Sequence, residues 1–145
     1  MEVRAFVPQD LYALSLQRQQ SGLRDLILGD GYAEALAEAG PAYTATAVSE
    51  GGGELIVACI GTIPQWQGYQ RAWALLSGDA GRCMVPLTRG ISRWLRFHNE
   101  GRVDTAVDCT FEAAIRWAKM LGFKREGVME KYRDGRDFYL YAQVT

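Results

Sequence analysis

The chain has 145 residues, a formal net charge of −1, 48% hydrophobic residues and 23% charged residues. That length predicts one domain, 1–145, with a core large enough to need no disulfide or metal staple. The near-neutral balance excludes a global drive towards nucleic acid or an anionic membrane.

In chain order, Met1 to Val7 alternates Val3 and Ala5 against Glu2 and Arg4, which predicts a short strand ended by Pro8. Asp10 is placed to cap a helix over Leu11–Gln20, broken by Ser21-Gly22. A short apolar segment, Leu23–Leu28, precedes a helix over Ala33–Ala39, closed by Gly40-Pro41. Tyr43–Val48 and Glu54–Thr62 read as an antiparallel pair joined at Gly51-Gly52-Gly53. Pro64–Tyr69 is predicted as a connection carrying two large aromatics, Trp66 and Tyr69. Arg71–Leu76 is the next strand, with Ser77–Gly81 as its exit loop.

A helix is predicted from Val85-Pro86, because proline is tolerated in the first turn. Leu87, Ile91, Trp94 and Leu95 give it an apolar stripe, and Arg89, Arg93 and Arg96 lie at i, i+4 and i+7 on another face. The last third reads strand (Arg102–Asp108), helix (Phe111–Leu121, with Thr110 as its cap), then two strands around Asp134-Gly135, a strong hairpin signal. The summed order predicts a mixed sheet flanked by helices, an α/β fold.

Three scattered cysteines, Cys59, Cys83 and Cys109, and one histidine, His98, leave no sequence-local zinc set, so no metal is expected. No basic-then-apolar leader opens the sequence, and no run approaches the ~20 apolar residues of a membrane span.

Ala114-Ile115 followed by Leu121-Gly122-Phe123 resembles the signature of the fourth helix in the GNAT superfamily of acetyl-CoA-dependent N-acetyltransferases. Trp73–Asp79, Val107-Asp108, Ala114–Trp117 and Asp134-Gly135-Arg136 with Phe138 are similar to a phage subgroup, the small GNAT-like internal virion and head-gene-encoded proteins of tailed phages. The resemblance implies a single-domain GNAT-like fold. It also implies four checks on catalysis.

The first is the pyrophosphate loop that opens the third helix, where backbone N–H groups and the helix dipole hold the anion. Here the loop is Gly78–Pro86. Gly78, Gly81 and Arg82 are the residues that would hold acetyl-CoA, but Asp79 brings a negative charge and Pro86 removes a donor. The second is a helix-opening asparagine, matched here by Phe111, which cannot make an amide's hydrogen bonds. The third is a tyrosine acid, matched by Ala118, which has no proton to give. The fourth is a general base, and Arg71–Leu76 has no Glu, Asp or His.

The reading favoured by these departures is a non-catalytic phage protein, with no catalytic residue and no cofactor, that works through contacts with other virion proteins. Arg89, Arg93, Arg96, Trp66 and Tyr69 are its candidate partner-binding residues, and self-association stays open. Three arginines without interleaved aromatics argue against nucleic acid. The expected location is the virion or the host cytoplasm. The alternative is an N-acetyltransferase with acetyl-CoA on a variant loop. A weaker alternative is a phage-encoded protein that binds a host target.

Overall fold

A computed structural model describes residues 1–29 and 31–145. Seven strands form one mixed sheet in the order β1-β2-β3-β4-β5-β7-β6. They are β1 (Glu2–Ala5), β2 (Ala42–Val48), β3 (Glu54–Trp66), β4 (Tyr69–Leu76), β5 (Arg102–Asp108), β6 (Lys124–Arg133) and β7 (Arg136–Val144). The helices are α1 (Pro8–Ala13), α2 (Arg24–Ile27), α3 (Tyr32–Ala39), α4 (Met84–His98) and α5 (Glu112–Met120). The expected α/β architecture, a mixed sheet flanked by helices, is what the chain adopts.

By compactness the chain divides into two units. The first comprises Met1–Ile63 and Trp73–Leu87, the second Pro64–Ala72 and Thr88–Thr145.

In the first unit, Phe6, Leu11, Leu14, Ile27, Leu36, Ile56, Cys59 and Leu75 pack into one cluster, with the Trp73 ring edge-on to Phe6 at 5.8 Å. Each such buried side chain contributes roughly 1.5–3 kcal/mol over its exposed state. Leu11 is 1% exposed, so Leu11→Ala would open a cavity at a cost of about 2–5 kcal/mol. The start of α1 is fixed by Pro8 and by Asp10, whose carboxylate accepts the Val7 N–H at 3.0 Å. The predicted helix to Gln20 does not form. Leu16 instead bridges Ser77, and the Gln17 N–H donates to the Leu76 carbonyl at 2.8 Å, so sheet pairing overrides helical propensity. A 3-10 helix over Arg18–Leu23 follows.

In the second unit, Leu95, Val103, Val107, Ala118, Leu121, Phe123 and Tyr141 form the core, joined by Ile91, Trp94 and Trp117. The stripe expected on α4 is therefore its buried face. The Trp117 Nε1–H donates to Thr88 Oγ1 at 2.8 Å, tying α5 to α4. Thr110 does not cap α5. Its N–H and hydroxyl both donate to Asp108 Oδ1, and Phe111 takes the cap position without a side-chain bond. β6 and β7 are antiparallel, and their turn has Asp134 at φ 54° and Gly135 at φ 71°. Positive φ at both positions is the primed turn that matches strand twist, as the Asp-Gly pair predicts. No helix among the described residues is long and apolar enough to cross a membrane.

Candidate functional site

In the second unit, β4 runs parallel to β5 with Tyr69 opposite Arg102, Gln70 opposite Val103 and Arg71 opposite Asp104. The two-residue period of strands puts Tyr69, Arg71, Arg102 and Asp104 on one face. Asp104 is 2% exposed, so its charge needs partners. The Tyr69 hydroxyl donates to Oδ2 at 2.6 Å and Arg102 donates to the same oxygen at 3.2 Å. Arg71 Nε lies 3.2 Å from Oδ1 as an ion pair, but its N–H is not aligned for a hydrogen bond, which leaves Oδ1 without one. Arg102 also forks onto Glu126, at 2.6 and 3.0 Å.

Burial pushes the Tyr69 hydroxyl above the usual tyrosine range, and the hydrogen bond to Asp104 and its charge push the same way. Arg102 holds Glu126 below the usual carboxylate range. Trp66, 70% exposed, meets the Tyr69 ring edge-on at 4.9 Å.

Trp66 and Tyr69 were expected on a connecting loop. They instead end β3 and begin β4, flanking a turn at Gln67-Gly68. Gly68 has φ 85°, and its carbonyl accepts the Arg102 N–H at 2.8 Å. A Cβ on Gly101 would stand 2.8 Å from that carbonyl oxygen, so this close approach requires glycine. β4 accordingly starts at Tyr69, two residues before its expected start at Arg71.

In the first unit, the predicted cofactor loop is a turn leading into a 3-10 helix over Ala80–Cys83. Its first three amides are spent within the protein. Gly78 N–H donates to Ser15 O at 3.0 Å, Asp79 N–H to Ser77 Oγ at 3.1 Å and Ala80 N–H to Ser77 O at 3.1 Å. A backbone cradle for a pyrophosphate needs those donors. The Gly78, Asp79 and Ala80 donors are therefore not free to join such a cradle. What faces outward is the exposed Arg82 and the open space beside Gly81.

Arg89, Arg93 and Arg96 are exposed along α4, and with Thr88 and Ser92 they line an open concavity of about 280 Å³. None of the three arginines forms an ion pair among the described residues. The structure does not bring Trp66 and Tyr69 into that concavity. Ala118 is 5% exposed within the second unit's core, where it packs and offers no proton. His98 stacks on Trp94 at 4.4 Å, with Nδ1 2.9 Å from the Trp94 carbonyl, a helix-end contact. All three cysteines are free, and burial pushes the Cys59 thiol up to about 12. Among the described residues no group of His, Cys, Asp and Glu is arranged to hold a metal.

Sequence reasoning missed Asp104. Its signal was a carboxylate inside a strand otherwise built of Val103, Thr105, Ala106 and Val107. Only the parallel register, which no local pattern encodes, brings Arg71 and Tyr69 to it.

No protein-family model and no curated protein matches the chain. Solved structures do. A putative phosphinothricin N-acetyltransferase superposes with a TM-score of 0.70 at 16% identity, over 99% of this chain and 97% of that one. An acetyltransferase of the GNAT family from Bacillus anthracis gives 0.67 at 14%, over 98% and 93%. The fold is that of the GNAT acetyltransferases. The ribosomal-protein-S5-alanine acetyltransferase of Vibrio fischeri extends the likeness, with 0.64 at 16% identity over 98% and 91%.

These GNAT neighbours correct the expectation of a non-catalytic virion component. Each is an acetyltransferase by name, and none is a phage or virion protein. The residues that suggested the phage subgroup have structural jobs that any chain of GNAT fold could need. Trp73 packs on Phe6, Ala114 and Ile115 line the second core, and Asp134-Gly135 makes a turn.

Proposed function

We propose that the chain is an acetyl-CoA-dependent N-acetyltransferase acting on an amine. The observation that carries this reading is likeness along nearly the full chain to GNAT structures named as acetyltransferases. Acceptors named for these neighbours include spermidine and an alanine of ribosomal protein S5. Acetyl-CoA would supply the activated acetyl group.

The chain's own contribution is read from the Asp104 cluster. Trp66 and Tyr69 present aromatic surface that suits a cationic amine. Asp104 is buried and acts as a positioning residue. It fixes the Tyr69 hydroxyl and holds the Arg71 and Arg102 guanidinium groups by charge. Tyr69, with its proton held by burial and by Asp104, serves as a fixed donor rather than an acid. Because the Gly78–Ala80 amides are spent, Arg82 and the backbone beside Gly81 are the loop's remaining contacts for the cofactor.

Calorimetric titration with acetyl-CoA tests the reading, followed by thiol release with polyamine, amino-acid and peptide amines. The expected outcome is an affinity between about 1 μM and 1 mM and turnover with at least one amine. No heat up to several millimolar acetyl-CoA, together with no thiol release, would end it.

A further inference from the structure

From Met84 to His98, α4 carries Arg89, Arg93, Arg96 and His98 and no acidic residue. Arginines at i and i+4 repel, which costs the helix a few tenths of a kcal/mol per pair. Nothing in the structure offsets that cost, since none of the three pairs with a carboxylate among the described residues. Of the ten arginines outside α4, Arg18, Arg24, Arg82, Arg125 and Arg133 likewise form no ion pair among the described residues, and five do. Arg4, Arg71, Arg102, Arg116 and Arg136 all have carboxylate partners.

What sets the α4 arginines apart is that three exposed ones share one helix face. Together with Thr88 and Ser92 they wall a concavity of about 280 Å³ that lies wholly on α4. At 1.5 Å of rise per residue, Arg89 and Arg96 are about 10 Å apart along the axis. Guanidinium groups carry planar donor forks that match phosphate oxygens two at a time, and hydroxyls between them add single donors.

We propose that the outer face of α4 is a binding site for the clustered phosphates of a nucleotide, centred on Arg89, Arg93 and Arg96 with Ser92 beside them. The proposal goes beyond acetyl transfer. Two nucleotides share the chemistry: coenzyme A, with three phosphate groups, and a separate nucleoside triphosphate. The arginine face accepts either, and it needs none of the amides spent in the Gly78–Ala80 turn.

Inorganic tripolyphosphate is the direct probe, titrated calorimetrically into the full chain at low salt and again near 0.15 M. Binding is expected, weaker at the higher salt, and reduced about tenfold for each arginine removed in Arg93→Ala and Arg93→Ala/Arg96→Ala. Arg18→Ala, at an exposed arginine on another element, should bind as the parent does. Circular dichroism checks that the variants keep their helix content, which exposed alanines favour.

Competition assigns the source. Displacement by coenzyme A but not by ATP supports the proposal with the cofactor as occupant. Displacement by ATP but not by coenzyme A supports it with a separate nucleotide. No binding of tripolyphosphate, binding unchanged in the double variant, or displacement by neither nucleotide overturns it. Acetyl transfer that proceeds while tripolyphosphate fails to bind would sink this inference and leave the proposed function standing. Tripolyphosphate binding with no acetyl transfer would do the reverse.

Discussion

Among the described residues, each unit buries one aspartate beside arginine, and the two aspartates are wired differently. Asp10, in the first unit, receives two N–H bonds from Arg4 at 2.7 Å, the Thr44 hydroxyl at 2.7 Å and the Val7 N–H at 3.0 Å. Both of its oxygens are satisfied. Asp104, in the second unit, has one short bond, from Tyr69, and longer contacts to Arg71 and Arg102. Its Oδ1 is held by charge without a hydrogen bond. A saturated carboxylate is a structural knot. An incompletely satisfied one is where a protein keeps capacity for chemistry.

The largest effect that tests this contrast is on stability. Asp10→Asn should lower the unfolding free energy in urea by about 3 kcal/mol, because it leaves Arg4 partly uncompensated and strips several charge-assisted bonds. Asp104→Asn should lower it by about half as much. Equal losses would erase the distinction. In acetyl-transfer assays the order should invert. Asp104→Asn should lose about tenfold in kcat/KM, and Asp10→Asn, assayed where it is folded, should lose little.

The next test is pH. Burial works against the Asp10 charge, but Arg4, the Val7 N–H and Thr44 together outweigh it, so its folded pKa lies below its unfolded value of about 3.9. A depressed folded pKa gives stability that is complete above the unfolded value and is lost as pH falls through the folded one. The gap between the parent and Asp10→Asn should thus be constant near neutrality and shrink below about pH 4. A gap that widens on acidification would contradict the wiring described for Asp10.

A smaller effect probes the Asp104 side. Tyr69→Phe removes the one short bond to Asp104 and should cost about 1 kcal/mol in urea. The smallest is chemical. At pH 8, Cys83 and Cys109, both partly exposed, should react with a soluble thiol reagent while Cys59 stays unmodified until the chain unfolds.

Much of the fold was legible because it is locally encoded. Asp134-Gly135 selects its turn, Gly40-Pro41 ends α3, and the 3.6-residue spacing of Leu87, Ile91 and Leu95 names the buried face of α4. The failures were non-local. Nothing in Leu14–Gln17 announces pairing with Leu76 and Ser77, so the first helix was drawn too long. Pro64 inside β3 masked a strand that runs through to Trp66, and the aromatics looked like loop residues. For the candidate site, the arginine face of α4 was visible as a pattern. Asp104 was not, since its meaning depends on a register three residues long. The acid and base positions, Ala118 and the strand from Arg71, stay empty, and what overturned the non-catalytic reading is the likeness to structures named as acetyltransferases.

Trp66 gives the second unit an optical reporter. Its indole is mostly in water, it touches the Tyr69 ring, and Tyr69 is bonded to Asp104. An acceptor that settles against these rings will change the polarity around that indole. Its emission should then shift to the blue without any label being attached.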